Sequence, residues 1–138
     1  MQTEVIRFQT NGYTSIINLS EEVSKVIRSS SLAEGQATIY GIGATTGITT
    51  LEYEPGLVNK DVGHMLDQVA PYGHRYAHNQ TWGDDNGAAH LRSALIGTSQ
   101  AFPFKDSRLL TGTWQQIVFL DFDTQPRSRE VVVQLMGV

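Results

Sequence analysis

Polar and apolar residues alternate over Glu4 to Phe8 and again over Thr14 to Asn18, which predicts two short strands. Asn11-Gly12 lies between them and predicts a hairpin-like start. The period then changes. Val23, Val26 and Ile27 fall on one helical stripe behind Ser20 as N-cap, with Glu21 and Glu22 suited to a positive helix N-terminus and Gly35 closing the segment. Gln36 to Ile42 and Ile48 to Tyr53 are β-branched and aromatic runs, hence strands. After Pro55-Gly56, Leu57, Val62, Leu66 and Val69 return at helical spacing. A further helix is expected to start near Asp85 or Asn86, with Asp85 able to cap it and Leu91, Leu95 and Ile96 as its apolar run. Beyond Phe102, turns at Lys105-Asp106-Ser107 and Thr124-Gln125-Pro126 divide Ala101 to Phe104, Leu109 to Thr111, Gln116 to Phe122 and Glu130 to Leu135 into an antiparallel meander. Strands and helices grouped in this way predict an α+β fold, an antiparallel or mixed sheet layer carrying two to three helices.

Composition narrows the class without changing that picture. The 138 residues suit a single domain over residues 1–138, and 40% hydrophobic with 17% charged residues is ordinary for a globular chain. A formal charge of -4 with no Lys/Arg cluster argues against nucleic acid or an anionic membrane as partner. Cysteine is absent, so a metal site would have to use His, Asp, Glu and backbone oxygen. With no cationic stretch and apolar run at Met1, and no run of eighteen apolar residues anywhere, cytoplasmic placement is the expectation.

The chemistry concentrates in Tyr76 to Leu91, YAHNQTWGDDNGAAHL. His78 and His90 can move protons near neutral pH or ligate a metal, and Asp84, Asp85 and Asn86 can orient them. Trp82, in a polar stretch beside Gly83, is the better candidate for stacking on a ligand ring, whereas Trp114 precedes the apolar run Ile117 to Leu120 and is expected to pack. The segment GIGATTGITTLEYE, Gly41 to Glu54, lacks the Lys-Ser/Thr pair and following helix of a phosphate loop. It could still form a looser nest, in which Thr45, Thr46 and their amides would hold phosphate, or be a plain β-turn and strand. Arg127 could supply a bidentate phosphate contact, and Arg92 is a second candidate.

Several of these stretches occur together and in order: the Gly43 to Glu54 loop, the His78 to His90 stretch, AHL-x-SALIG-x-S from Ala89, GTWQ-x-I from Gly112 and D-x-x-PR-x-R from Asp123. In this combination the chain resembles the YjbQ-like family. The resemblance implies an α+β homotrimer and a secondary thiamine-phosphate synthase, joining a thiazole phosphate to a pyrimidine pyrophosphate. It also exposes a departure, because Gly43 stands where many members carry a histidine. A three-histidine site is then unavailable, and a divalent metal, zinc or magnesium, on His78 and His90 would need a carboxylate such as Glu52 or Asp84. The catalytic candidates are His78, His90, Glu52, Asp84 and Asn86. Two other readings stand beside the transferase: a non-catalytic trimer binding a small phosphorylated ligand, and a metal-dependent hydrolase using His78, His90 and Glu52 around a water.

Overall fold

Residues 117 to 120 alternate between two hydrophobic clusters, Ile117 and Phe119 in one and Val118 and Leu120 in the other. Their strand is β7 (Gln116–Asp121), the middle strand of a three-stranded sheet flanked by β2 (Ser15–Asn18) and β4 (Thr46–Leu51). Both faces of β7 are covered, so its apolar run is continuous where a half-exposed strand would alternate.

The computed structural model describes residues 1–138. A second sheet holds five strands in the order β1 (Gln2–Thr10), β8 (Arg127–Gly137), β3 (Glu34–Gly41), β5 (Ser99–Lys105) and β6 (Arg108–Leu109). Its inner face contributes Ala37, Ile39, Phe102, Phe104, Val131, Val133 and Leu135 to the cluster that meets Ile48, Ile117 and Phe119 of the smaller sheet. Phe8 packs edge-on against Phe119 with centroids 5.0 Å apart. Helix α1 (Ser20–Ser29) adds Val23 and Ile27 to that cluster, with Leu19 just before it. The opposite face of the smaller sheet is covered by α2 (Val62–Asp67), which continues a π-helical stretch over Leu57–Asp61, and by α4 (Gly87–Ile96). Leu66 and Ala89 are the buried contributions of these helices. A short α3 (Ala77–Trp82) precedes α4. The layers are therefore sheet, sheet and helices, with every strand pair antiparallel.

The α+β class and the segment positions agree with the sequence, but the pairings do not. β1 and β2 form no hairpin: β1 pairs with β8 and β2 with β7, in different sheets. Tyr13 and Thr14 have φ of 50° and 64°, and their amides donate to the carbonyls of Asp123 and Asp121. A crossover strapped to the end of β7 thus replaces the turn that Asn11-Gly12 suggested. The C-terminal half is likewise no meander, since only β5 and β6 are joined as neighbours while β7 and β8 enter separate sheets. Nor does Ser20 cap its helix. Leu19 holds the N-cap position, and the Ser20 hydroxyl accepts the Ile117 amide, tying α1 to β7. Val69 follows the end of α2 and is 64% exposed, so the apolar stripe of that segment stops at Leu66.

Candidate functional site

The chain leaves β7 through LDFD, Leu120 to Asp123, and two of these four buried residues are carboxylates. Asp121 and Asp123, two apart, would point the same way in an extended chain, flanking buried Phe122. Burying a carboxylate is expensive unless cations and N–H groups surround it, and β8 begins with Arg127 and Arg129 at the same spacing. Arg129 grips Asp121 with two nitrogens, Nε to Oδ2 at 2.7 Å and Nη2 to Oδ1 at 2.8 Å, and Nη2 also donates to Thr45 Oγ1 at 2.8 Å. The Thr10 hydroxyl and the Asp123 amide complete the Asp121 shell. Hydrogen bonding to Asp121 raises the Arg129 pKa above its ordinary value against the opposing effect of burial, with the charges of Asp121 and Asp123 adding to the rise.

Asp123 links this ion-paired base to the histidines. Its Oδ2 accepts Arg127 Nε at 2.9 Å, and its Oδ1 accepts the Thr124 amide at 2.8 Å and the Asn86 side-chain amide at 3.3 Å. Burial alone would raise the Asp123 pKa. The Thr124 amide, the Asn86 amide and the Arg127 guanidinium outweigh it and hold the carboxyl below the usual aspartate value. Because Asn86 Nδ2 donates to Asp123, its Oδ1 is the atom turned toward His78 Nε2, 3.0 Å away. Asp84 Oδ2 lies 3.3 Å from the same nitrogen. Both neighbours are acceptors, which assigns the proton to Nε2 by the hydrogen-bond network. The His90 ring sits beside that of His78, centroids 4.5 Å apart and tilted by 55°.

Tight helix packing brings the histidines together. Asn79 Oδ1 accepts the Gly87 amide at 2.8 Å, and a Cβ on Gly87 would approach Tyr76 Cβ to 2.7 Å, so only glycine lets the start of α4 close on the start of α3. Tyr76, Ala77, His78, Gly87, His90 and Leu91 line an open pocket of about 380 Å³ there. Asp85 does not cap α4; its carboxylate accepts the Thr124 hydroxyl at 2.7 Å, and Asn86 occupies the cap position without a side-chain bond to the helix.

The other candidates separate. Thr45 and Thr46 are buried, Thr45 bound to Arg129 and Thr46 donating to the carbonyls of Gly41 and Gly43, so their hydroxyls are already engaged. Gly43 has φ +134°, and a Cβ there would come within 2.9 Å of Arg129 Nη1, so the guanidinium fills the space of a side chain at that position. Arg92 is buried to 1% exposure. It donates to the Ala70 carbonyl, Thr14 Oγ1 and Asp67, and lies over the Tyr72 ring at 4.2 Å. That is a structural post and corrects its assignment to phosphate. Trp82 is 74% exposed on α3, one turn after His78. Trp114, expected in the core, is 72% exposed because it precedes β7 and lies outside the sheet. Glu52 follows β4 and shares an open groove with Tyr53, Trp114 and Gln116, at the end of the smaller sheet opposite to Asp121. The five steps of β7 from residue 121 to 116 span about 17 Å, so one chain does not bring Glu52 to the histidines. Nor does any group of three His, Asp or Glu side chains gather in an arrangement that could hold a metal ion.

Sequence reasoning missed Asp121, Asp123 and Arg129. The legible signal was a pair of carboxylates in an apolar strand, which require partners, followed by an arginine pair at the same spacing.

The family described as UPF0047 protein YjbQ-like matches residues 4–138. The chain belongs to this family. It is similar to a UPF0047 protein of Archaeoglobus fulgidus, 33% identical over 95% of this chain and 98% of the relative. It is also similar to the UPF0047 protein YugU of Bacillus subtilis, 32% identical over 97% and 98%. Among solved structures, a hypothetical protein of Aeropyrum pernix K1 superposes with a TM-score of 0.92 at 27% identity over all of both chains. A YjbQ/UPF0047 protein of Clostridium acetobutylicum gives 0.86 at 30% identity over 96% of this chain and 99% of that one. The YjbQ-like fold, with two antiparallel sheets and their helices, is thus shared across these sources. No helix is long and apolar enough to cross a membrane.

Proposed function

We propose that this YjbQ-like protein is a transferase of the thiamine-phosphate synthase type, working at the face formed by His78, His90 and Arg127. The observation that carries the reading is the connected chain His78, Asn86, Asp123, Arg127, in which a proton-bearing imidazole is oriented through an amide and a carboxylate by a guanidinium. Arg127 spends Nε on Asp123 and keeps its terminal nitrogens for an anion, and its side chain is 40% exposed. The substrate pair comes from the family resemblance, a thiazole phosphate and a pyrimidine pyrophosphate. In that reaction the thiazole ring nitrogen forms a bond to the pyrimidine methylene carbon. The carbon–oxygen bond to pyrophosphate breaks, and its electron pair leaves with pyrophosphate. No proton need leave the nucleophile. What the protein must supply is stabilisation of charge on the departing oxygens, from the Arg127 guanidinium and from His90 as donor, with His78 held beside His90 by its bond to Asn86. The homotrimer implied by the same resemblance belongs to this proposal.

The test is to incubate the protein with the two substrates and follow thiamine phosphate and pyrophosphate together. Turnover is expected, with His78→Ala and His90→Ala each slowing it by about 10²-fold or more while ligand affinity changes less. Phosphate-ligand binding that depends on Arg127, without product from the wild-type chain, would replace the transferase with a binding protein.

A further inference from the structure

Helix α1 carries a polar edge that the core does not use. Ser20, Ser24 and Arg28 lie four residues apart on one side of it, while Val23 and Ile27 on the neighbouring stripe are buried. Facing them, Arg108 of β6 and the stretch from Thr111 to Gln116 form the opposite wall of a hollow of about 260 Å³. The walls are pinned by bonds of their own: the Ser20 hydroxyl accepts the Ile117 amide at 2.8 Å, and Gln115 Oε1 accepts the Gly112 amide at 3.0 Å while its Nε2 donates to Thr50 Oγ1 at 3.2 Å. The hollow is therefore preformed. Only one of its eleven lining residues is hydrophobic, and none is a carboxylate or an aromatic ring. It gathers two guanidinium groups in a chain whose formal charge is -4. Arg108 has no ion pair within the chain, and Arg28 meets Glu21 at 2.9 Å in a pair exposed at both ends, which an anion can displace at little cost. The hydroxyls of Ser24, Thr111 and Thr113 are bonded to nothing else in the chain.

We propose that this hollow binds the phosphate monoester of a small polyol, Arg28 and Arg108 holding the phosphate and the hydroxyls of Ser24, Thr111 and Thr113 meeting those of the ligand. Two guanidiniums with no acid between them select an anion, and phosphate suits their forked donors. Unpaired hydroxyls around them select a ligand that is hydroxylated beside its phosphate. A flat heterocycle would need stacking area, which walls without a ring do not give. At about 260 Å³ the hollow is smaller than the roughly 300–1,000 Å³ of sites for drug-sized molecules, so the ligand is compact. The hollow lies at the Gln116 end of β7, about 17 Å along the strand from the Asp121 end that carries the histidine face. It is a second site, with a different ligand class, and does not depend on the transferase reading.

Glycerol phosphate, inorganic phosphate and glycerol are the probes, each titrated into isotope-labelled protein while the backbone amide signals of Gly112 and Thr113 are followed by NMR. Saturable shifts of both signals are expected, with the ester binding more tightly than inorganic phosphate and glycerol leaving them in place. Arg108→Gln should weaken binding of the ester about tenfold, and Ser24→Ala should bring it toward the affinity of inorganic phosphate. Arg108 is exposed and Ser24 half-buried, so both variants should keep the wild-type melting temperature. Arg127→Gln, at the histidine face, should leave the Gly112 and Thr113 titration unchanged. Signals that do not move, an ester that binds no more tightly than inorganic phosphate, or equal affinity in Arg108→Gln would overturn the proposal. Loss of the titration in Arg127→Gln would also overturn it, by assigning the shifts to the histidine face.

Discussion

Arg92 shows most plainly how a residue's role is set by its surroundings. Its guanidinium is sealed from solvent and bonded on three sides, while its partner Asp67 is half exposed and can be rehydrated. Replacing it by Ala leaves a void under Tyr72 and an orphaned Ala70 carbonyl, so Arg92→Ala should cost about 3 kcal/mol, read from urea midpoints. Lys at this position keeps the charge but cannot make the three-way bond, so it should recover less than half of the loss. Asp123 gives a pH signature. Its folded pKa is depressed, so the stability it contributes is complete above the unfolded value of about 3.9 and is lost as pH falls toward the lower folded value. Asp123→Asn should therefore flatten the acid limb of a stability-against-pH curve, and an unchanged limb would show that Asp123 is not the group responsible.

Elements here are placed by a few close approaches more than by propensity. The segment from Tyr76 to Trp82 contains no buried residue, and α3 is six residues long. It is too short to be stable alone and depends on what it touches. What it touches is the α4 start, through the Asn79–Gly87 hydrogen bond and the Tyr76–Gly87 contact. Gly87→Ala should force these helices apart, costing about 2 kcal/mol and moving the His78 and His90 ring-proton signals together in NMR spectra. Signals that stay in place would mean that α3 is fixed by something other than Gly87. Gly43→His is expected to fail as a restoration of the common family residue, because its side chain would enter the space of Arg129 Nη1 and strain a backbone at φ +134°. A loss of thermal stability without gain of metal affinity is the expected outcome.

At the scale of the whole molecule, β7 is the shared wall of two cores, so damage to it should be felt everywhere. Phe119 is fully buried between the sheets and meets Phe8 edge-on. Phe119→Ala should remove about 4 kcal/mol in one cooperative transition, with fluorescence and circular dichroism melting together. Separate transitions would mean that the helix-covered cluster folds without the sheet-on-sheet one. Much of the fold was legible in the chain. Hydrophobic periodicity placed nearly every strand and the helices α1, α2 and α4, because a segment's period follows from its own residues and the face it buries. Pairing was not legible. The Asn11-Gly12 turn looked local, yet β1 and β2 found partners a hundred or more residues away, since a strand's best neighbour is decided by which cluster its buried face can join. The same division applies to the site. The sequence by itself brought His78, Asp84, Asn86 and His90 under suspicion, because unusual residue types in a short stretch need no tertiary information to be seen. Only the tertiary structure could connect them to Asp123 and Arg127, set Arg92 inside the core, turn Trp114 outward and carry Glu52 to the far end of the sheet. Side-chain chemistry is written residue by residue, whereas distance between residues is a property of the packed chain.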